Sequence, residues 1–183
     1  MPKAEDYSLR PMEKKDLKKV FEWRNSERIR ANMYTDHNIS WVEHEKWFSS
    51  VAGGTGSEYH ILEYLAAPIG FLSIVQIDKN NGKCSWGFYI GDKDAPRGAG
   101  SILLYLSLDL IFEKLKIRKL CSEVFAFNMA SINLHKKFGF REEGHYIEHV
   151  LKNGIYEDVV ALAHFAKQFE ETKSELEKLA YWD

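Results

Sequence analysis

Between residues 94 and 104 the chain reads DAPRGAGSILL, a run that can hold an anion. Gly98, Ala99 and Gly100 are small enough to let a phosphate reach the backbone, and the free N–H groups of a helix start would supply the donors. Arg97 adds a positive charge at the edge of that site. The segment is not a P-loop, because no Gly-Lys-Ser/Thr follows, and it lacks the GxGxxG of a dinucleotide fold. By itself it serves equally well as a tight turn. Other chemistries are poorly supplied. Cys84 and Cys121 cannot form a zinc cluster and are too far apart for a redox CxxC, so they read as free thiols on neighbouring strands. The seven histidines show neither HExxH nor HxH spacing, and no metal site is expected.

The elements that must carry these residues follow from periodicity and punctuation. Tyr7–Pro11 alternates as a first strand, and Leu17, Val20, Phe21 and Trp23 share one face of a helix that breaks near Asn25. Ser40 with Glu43 three residues on is a capping box, predicting a second helix to about Val51. Residues 53–57 read as a flexible loop. Glu58–Leu65, Ile69–Ile77 and Cys84–Ile90 are three strands, and their short connections make an antiparallel meander. Asp92–Gly100 is a loop and Ser101–Lys116 a strongly apolar helix, with Leu104, Leu108, Ile111 and Leu115 on one stripe. The strand Leu120–Phe127 follows, by default through a right-handed parallel crossover. Asn128 starts a helix that Gly139 ends in a left-handed cap. Arg141–Val150 and Tyr156–Phe165 form a last hairpin, and Ala166–Trp182 is a charged amphipathic tail helix with Phe169, Leu176 and Leu179 inward.

Composition agrees with one α+β domain over residues 1–183. Hydrophobic residues make up 45% and charged residues 28%, the balance of a soluble globular chain. A formal charge of −2 gives no basic excess, so no nucleic-acid partner is expected. No apolar run approaches the ~18–20 residues of a membrane span, and the charged start has no signal core. No membrane partner and a cytoplasmic location are expected. The apolar stripe of the tail helix can dock in cis or join two subunits as a homodimer.

A second segment, residues 123–140, reads EVFAFNMASINLHKKFGF. Its Asn128, Leu134, His135 and Phe138-Gly139-Phe140, about 30 residues after the glycine loop, resemble the N-x-x-A-x-x-L-Y-x-x-x-G-F motif of the GCN5-related N-acetyltransferase (GNAT) superfamily. The loop Arg97–Ile102 resembles that superfamily's R-x-x-G-x-G/A. This chain departs from the pattern with Ile102 at the sixth position, Ser131 for Ala and His135 for Tyr. The resemblance implies the acyl-CoA N-acyltransferase fold: a mostly antiparallel twisted sheet splayed between two parallel strands and flanked by helices. It implies acetyl-CoA as co-substrate in the gap between Cys84–Ile90 and Leu120–Phe127. Main chain around Phe88, Tyr89 and Ile90 would hold the pantetheine. Arg97, Gly98, Ala99, Gly100 and Ser101 would hold the pyrophosphate, with Asn128 and Ser131 at the pantetheine end.

An amine is mostly ammonium at pH 7, so it must lose a proton before attacking the thioester, and the departing thiolate is best protonated. Glu123 is the candidate base, directly or through water, in a strand face shared with Cys121 and Phe125; a surface or salt-bridged carboxylate is the plainer alternative. His135 occupies the family's general-acid position, where it acts as acid or packs on an exposed helix turn. Tyr89 is the backup donor.

Acceptor choice is expected before about residue 57, acetyl-CoA chemistry over 58–165. Trp23-Arg24-Asn25, Met33-Tyr34, Ile39-Ser40 and His44 with Trp47 resemble one subfamily, the pseudaminic-acid-pathway acetyltransferases of UDP-4-amino-4,6-dideoxy-N-acetyl-β-L-altrosamine, which serve flagellin glycosylation. Ribosomal-protein Nα-acetyltransferases share the WRN start and stand as the alternative; a catalytically silent acetyl-CoA-binding domain is a third. For a nucleotide-sugar, Arg24 would take the diphosphate. Tyr34 and Trp47 offer flat faces, His44 lies one helical turn from Trp47, and Met33, Ser73 and Gln76 complete the expected acceptor site. Trp23 and Met33 also suit the core, and Glu27, Arg28 and Arg30 read as a solvated face.

Overall fold

The computed structural model describes residues 3–51 and 56–182; the loop expected at 53–57 therefore lies mostly outside the described residues. Seven strands form one sheet in the order β1-β2-β3-β4-β5-β7-β6. They are β1 Tyr7–Pro11, β2 Glu58–Tyr64, β3 Ala67–Asp78, β4 Lys83–Ile90, β5 Lys119–Phe125, β6 Arg141–Lys152 and β7 Ile155–Phe165. Every pairing is antiparallel except β4–β5, which is parallel as the connecting helix requires.

The sheet is covered on both faces, which explains why β3 reads as a nearly continuous apolar run. On one face Leu62, Leu72, Ile74, Cys84, Trp86, Leu120 and Val124 join the main core. That core is closed by α4 (Ala99–Asp109), α5 (Met129–Lys137) and α6 (Ala166–Trp182). Helix α4 is apolar all round because it lies inside this layer, with Leu103, Leu104 and Leu108 fully buried. Its last turn widens: the Leu115 amide donates to Leu110 five residues back, and Lys116 ends the helix at φ 54°. On the opposite face α1 (Leu17–Asn25), α2 (Glu27–Arg30) and α3 (Trp41–Val51) cover a smaller cluster of Val20, Trp23, Ile61 and Phe71.

The local signals act as expected. The Ser40 amide donates to Glu43 at 2.7 Å and the Glu43 amide to the Ser40 hydroxyl at 3.3 Å, the reciprocal capping box. The Asn128 side chain accepts from the Ser131 amide at 3.2 Å and so caps α5, and Gly139 ends that helix at φ 87°. Asn153 and Gly154, both at positive φ, turn the β6–β7 hairpin. Phe169 and Leu176 of α6 are buried and Leu179 packs partly buried beside them. Residues 27–30 form α2, on which Glu27 and Arg28 are exposed as a solvated face requires and Arg30 is half-buried; Arg28 also donates to the Gly91 carbonyl at 2.9 Å and Arg30 to the Asp36 carbonyl at 2.7 Å.

Candidate active site

The parallel β4–β5 ladder holds at three positions only, Lys83–Lys119, Cys84–Leu120 and Ser85–Cys121. Beyond Ser85 the segment Trp86–Ile90 has no β5 partner, so its outward main chain is free to pair with an extended ligand. At the end of this gap α4 begins. Gly98 precedes it at φ 91°, and a Cβ there would meet nothing within 4 Å, so the turn is open to a ligand. A depression of about 320 Å³ lies beside it, bordered by Arg28, Ile90, Lys93, Gly98 and Gly100. Arg97 is exposed and stands outside this depression, and Ser101 turns its amide back to the Gly98 carbonyl at 2.9 Å. An opened strand leading to a small-residue helix start with two cations beside it fits acetyl-CoA, whose chain is extended and whose far end is anionic.

The other face of the gap opens into a cavity of about 370 Å³ walled by Trp47, Tyr59, Phe71 and Tyr89. Arg24, Met33, His44 and Ser73, all expected at the acceptor site, line it as well. Arg24 donates through Nη2 to the Thr35 carbonyl at 3.3 Å, while its Nη1 is buried without a partner. Burial holds this guanidinium below its ordinary pKa, opposed by Tyr89 and reinforced by Arg30, yet an arginine stays charged at any physiological pH. His44 is buried, and because a carbonyl can only accept, its Nε2 must carry the proton it gives to Leu17 at 3.0 Å. Burial lowers its pKa, so the ring is neutral at pH 7 and stacks on Trp47 at 5.2 Å. The Tyr89 ring stacks on Phe71 at 5.2 Å, its hydroxyl is buried without a partner, and burial raises its pKa, keeping it protonated. The Ser73 hydroxyl donates to the Gly87 carbonyl at 3.0 Å.

Glu123 points to this same side of β5. It is exposed, as a surface carboxylate would be, and it accepts a 2.6 Å hydrogen bond from the Tyr34 hydroxyl. Tyr34 thus does not line the cavity as expected; it lies edge-on to Phe125 at 5.3 Å and reaches Glu123. Gln76 is also displaced. A bulge between Val75 and Asp78 breaks the strand's alternation, leaving Gln76 exposed at φ 53°, where it accepts from the Ser85 hydroxyl at 2.9 Å.

His135 lies on the other face of the sheet, and not on an exposed turn. It is 1% exposed, in contact with Trp86, Phe88 and Phe140. Nδ1 gives its proton to the Ser131 carbonyl at 2.7 Å, which leaves Nε2 to accept from the Ser122 hydroxyl at 3.0 Å. Burial drives its pKa down to about 4, only partly opposed by the Ser131 hydrogen bond. With its one proton committed to the backbone, His135 is arranged as a tie between β5 and α5, whereas the phenol of Tyr89 is unpaired. Of the residues expected near the cofactor, Asn128 uses its Oδ1 to cap α5, and the Ser131 hydroxyl lies 3.4 Å from His135 Nδ1.

Several lining residues escaped the sequence reading. Phe71 and Val75 share the face of Ser73 by strand alternation, and Tyr59 is Ser73's partner on β2, so parity alone identifies them. Thr35 and Ile39 lie in the irregular stretch before α3, where no periodicity marks them. Cys84 and Cys121 do sit on neighbouring strands, but on opposite faces by alternation; burial pushes the Cys84 thiol up to about 12. Among the described residues no cluster of three His, Cys, Asp or Glu could hold a metal, and no helix is long and apolar enough to cross a membrane.

The chain is similar to known proteins. A family profile described as acetyltransferase (GNAT) domain matches residues 7–141. Spermidine N(1)-acetyltransferase of Escherichia coli (strain K12) is 22% identical over 169 residues, covering 92% of this chain and 91% of that protein. Acetyltransferase PseH of Campylobacter jejuni is 28% identical over 126 residues, 68% of this chain and 76% of that one. Among solved structures, spermidine N-acetyltransferase from Vibrio cholerae, in complex with CoA and spermine, superposes with a TM-score of 0.86 at 22% identity, over 91% of this chain and 99% of that one. At that identity the likeness is one of fold.

Proposed function

The chain belongs to the GNAT family of acetyl-CoA-dependent N-acetyltransferases, and from that premise we propose that its acceptor is a UDP-linked 4-aminosugar, UDP-4-amino-4,6-dideoxy-N-acetyl-β-L-altrosamine, acetylated on the 4-amino group in pseudaminic acid biosynthesis. The observation that carries this reading is Arg24: a charged side chain on the wall of an aromatic cavity, with one guanidinium nitrogen buried and unpartnered. Burying a polar group without a partner is costly, and a diphosphate is the ligand group that would satisfy it. The aromatic walls suit uracil and sugar rings. The 28% identity to PseH supports the same reading.

The near full-length similarity to spermidine N(1)-acetyltransferase favours a second reading, a polyamine acceptor. Charge argues against it. A polycation calls for several carboxylates, and among the described residues the cavity lining has one, Glu43, already held by Ser40 and His37, with Glu123 beyond it held by Tyr34. Arg24 on the same wall would repel a polycation. An N-terminal peptide acceptor would likewise call for an open acidic groove.

In the proposed reaction Glu123 takes a proton from the acceptor ammonium, directly or through water. The neutral amine attacks the thioester carbonyl, forming the amide C–N bond as the C–S bond breaks; Tyr89 supplies a proton to the leaving thiolate, and the second proton the nitrogen sheds as the amide forms restores the Tyr89 phenol, while the first passes from Glu123 to solvent. A thiol-release assay with the UDP-4-aminosugar, spermidine and a basic N-terminal peptide tests the acceptor. Turnover on the sugar alone is expected; turnover on spermidine or the peptide but not the sugar would overturn the reading.

A further inference from the structure

The cavity wall and Glu123 both depend on the stretch Ala31–Ser40, which has no regular secondary structure. This stretch supplies Met33 and Thr35 to the cavity and Tyr34 to Glu123. It is reached by a lysine from the far edge of the sheet. Lys152, the last residue of β6, is 5% exposed. Its ammonium donates to the Met33 carbonyl at 2.7 Å and to the Arg30 carbonyl at 3.3 Å, and lies 5.5 Å from the centre of the Phe125 ring that Tyr34 touches. The next residue, Asn153, donates its amide to the Asp36 carboxylate at 3.2 Å.

Burying an ammonium so near Arg24 and Arg30 is unfavourable. Burial itself and these two charges lower the Lys152 pKa, with Asp36 pulling the other way. What the arrangement provides is a fixed course for an irregular loop that would otherwise lose conformational entropy only when the acceptor binds. We infer that Lys152 is a positioning residue for the acceptor: through the Arg30 and Met33 carbonyls it clamps the β6–β7 hairpin onto the Ala31–Ser40 loop, holding Tyr34 on Glu123 and Met33 on the cavity wall. The inference rests on the reading of this face as the acceptor site.

The test compares wild-type enzyme with Lys152→Met and Lys152→Arg by steady-state kinetics and amide hydrogen exchange. The kinetics use whichever of the UDP-4-aminosugar and spermidine the wild type acetylates. Lys152→Met should raise the acceptor KM about tenfold, the loss of one or two charged hydrogen bonds, leave the acetyl-CoA KM unchanged, and speed exchange at residues 30–36. Lys152→Arg, which keeps charge and donors, should recover most of the affinity. Lys152→Gln takes the place of the methionine variant if that variant does not fold. An unchanged acceptor KM, or both KM values rising together with lower thermal stability, overturns the proposal. If the wild type acetylates neither amine, the functional reading fails by itself, and the exchange data still decide on the clamp: unchanged protection at 30–36 overturns it.

Discussion

Among the described residues, Arg24 and Tyr89 are the two that line the aromatic cavity with a buried polar group unpaired, and in the proposed reaction they make opposite predictions. If Arg24 holds an anionic group in both ground and transition states, Arg24→Met raises the acceptor KM by about 10- to 100-fold, one charged hydrogen-bonded contact, with kcat nearly unchanged. If Tyr89 donates a proton as the thiolate leaves, Tyr89→Phe lowers kcat by about 10²-fold or more with little change in either KM. Glu123→Gln should lower kcat similarly, most severely at low pH, where less of the acceptor is free amine. His135→Phe should not behave like these. Its proton is held by the Ser131 carbonyl, so the variant is expected to lose stability through the orphaned Ser122 hydroxyl while kcat in the surviving folded enzyme stays within a few-fold; a hundredfold fall in kcat at full folding would restore His135 as the acid.

At the scale of elements, the seat of α1 on the turn after β4 is tightly built. A Cβ placed on Gly91 would lie 2.0 Å from the Trp23 ring, an overlap that a rigid, buried indole cannot absorb without moving α1. Gly91→Ala should therefore destabilise by about 1–3 kcal/mol in urea unfolding and weaken acceptor binding through Arg24, Trp23's neighbour on α1. Wild-type stability in that variant would mean that the Trp23 seat is soft. Elements with local signals were legible in the sequence. The capping box at Ser40 and the Asn128 start declare themselves within three residues. Gln76 was misplaced because the bulge beside it is set by the β3–β4 turn and not by its own residue type. The hydrogen bond from Tyr34 to Glu123 was not legible, since the stretch around Tyr34 has no period. Lys152 was invisible because its acceptor, the Met33 carbonyl, lies 119 residues away in sequence.

At the scale of the whole molecule, a net charge of −2 supplies no general field for collecting anionic substrates, so the proposed phosphate contacts would have to rest on local groups: the α4 start on one side of the sheet and Arg24 on the other. The same two-sided burial makes the fold acid-sensitive. His135 and His164, buried within the main core layer, both have pKa values lowered to about 4 by burial. In the unfolded chain such rings bind protons as pH falls below about 6.5, whereas the folded state resists until about 4. Stability is thus fully present above about pH 6.5 and falls as the pH drops towards 4, by on the order of 3 kcal/mol for each ring. Thermal unfolding followed from pH 8 to 4 should show Tm declining through this window, and a flat profile would contradict the neutral, buried assignment. His135→Phe should flatten part of the decline.

Whether Arg24 selects a diphosphate-linked aminosugar is tested most directly by one ratio. It is kcat/KM for the UDP-4-aminosugar divided by kcat/KM for the same sugar without UDP, measured by thiol release in the wild type and in Arg24→Met. The wild-type ratio should be about 10² or more and fall by at least about tenfold in the variant. A ratio near one in the wild type, or one that survives loss of Arg24, would contradict it.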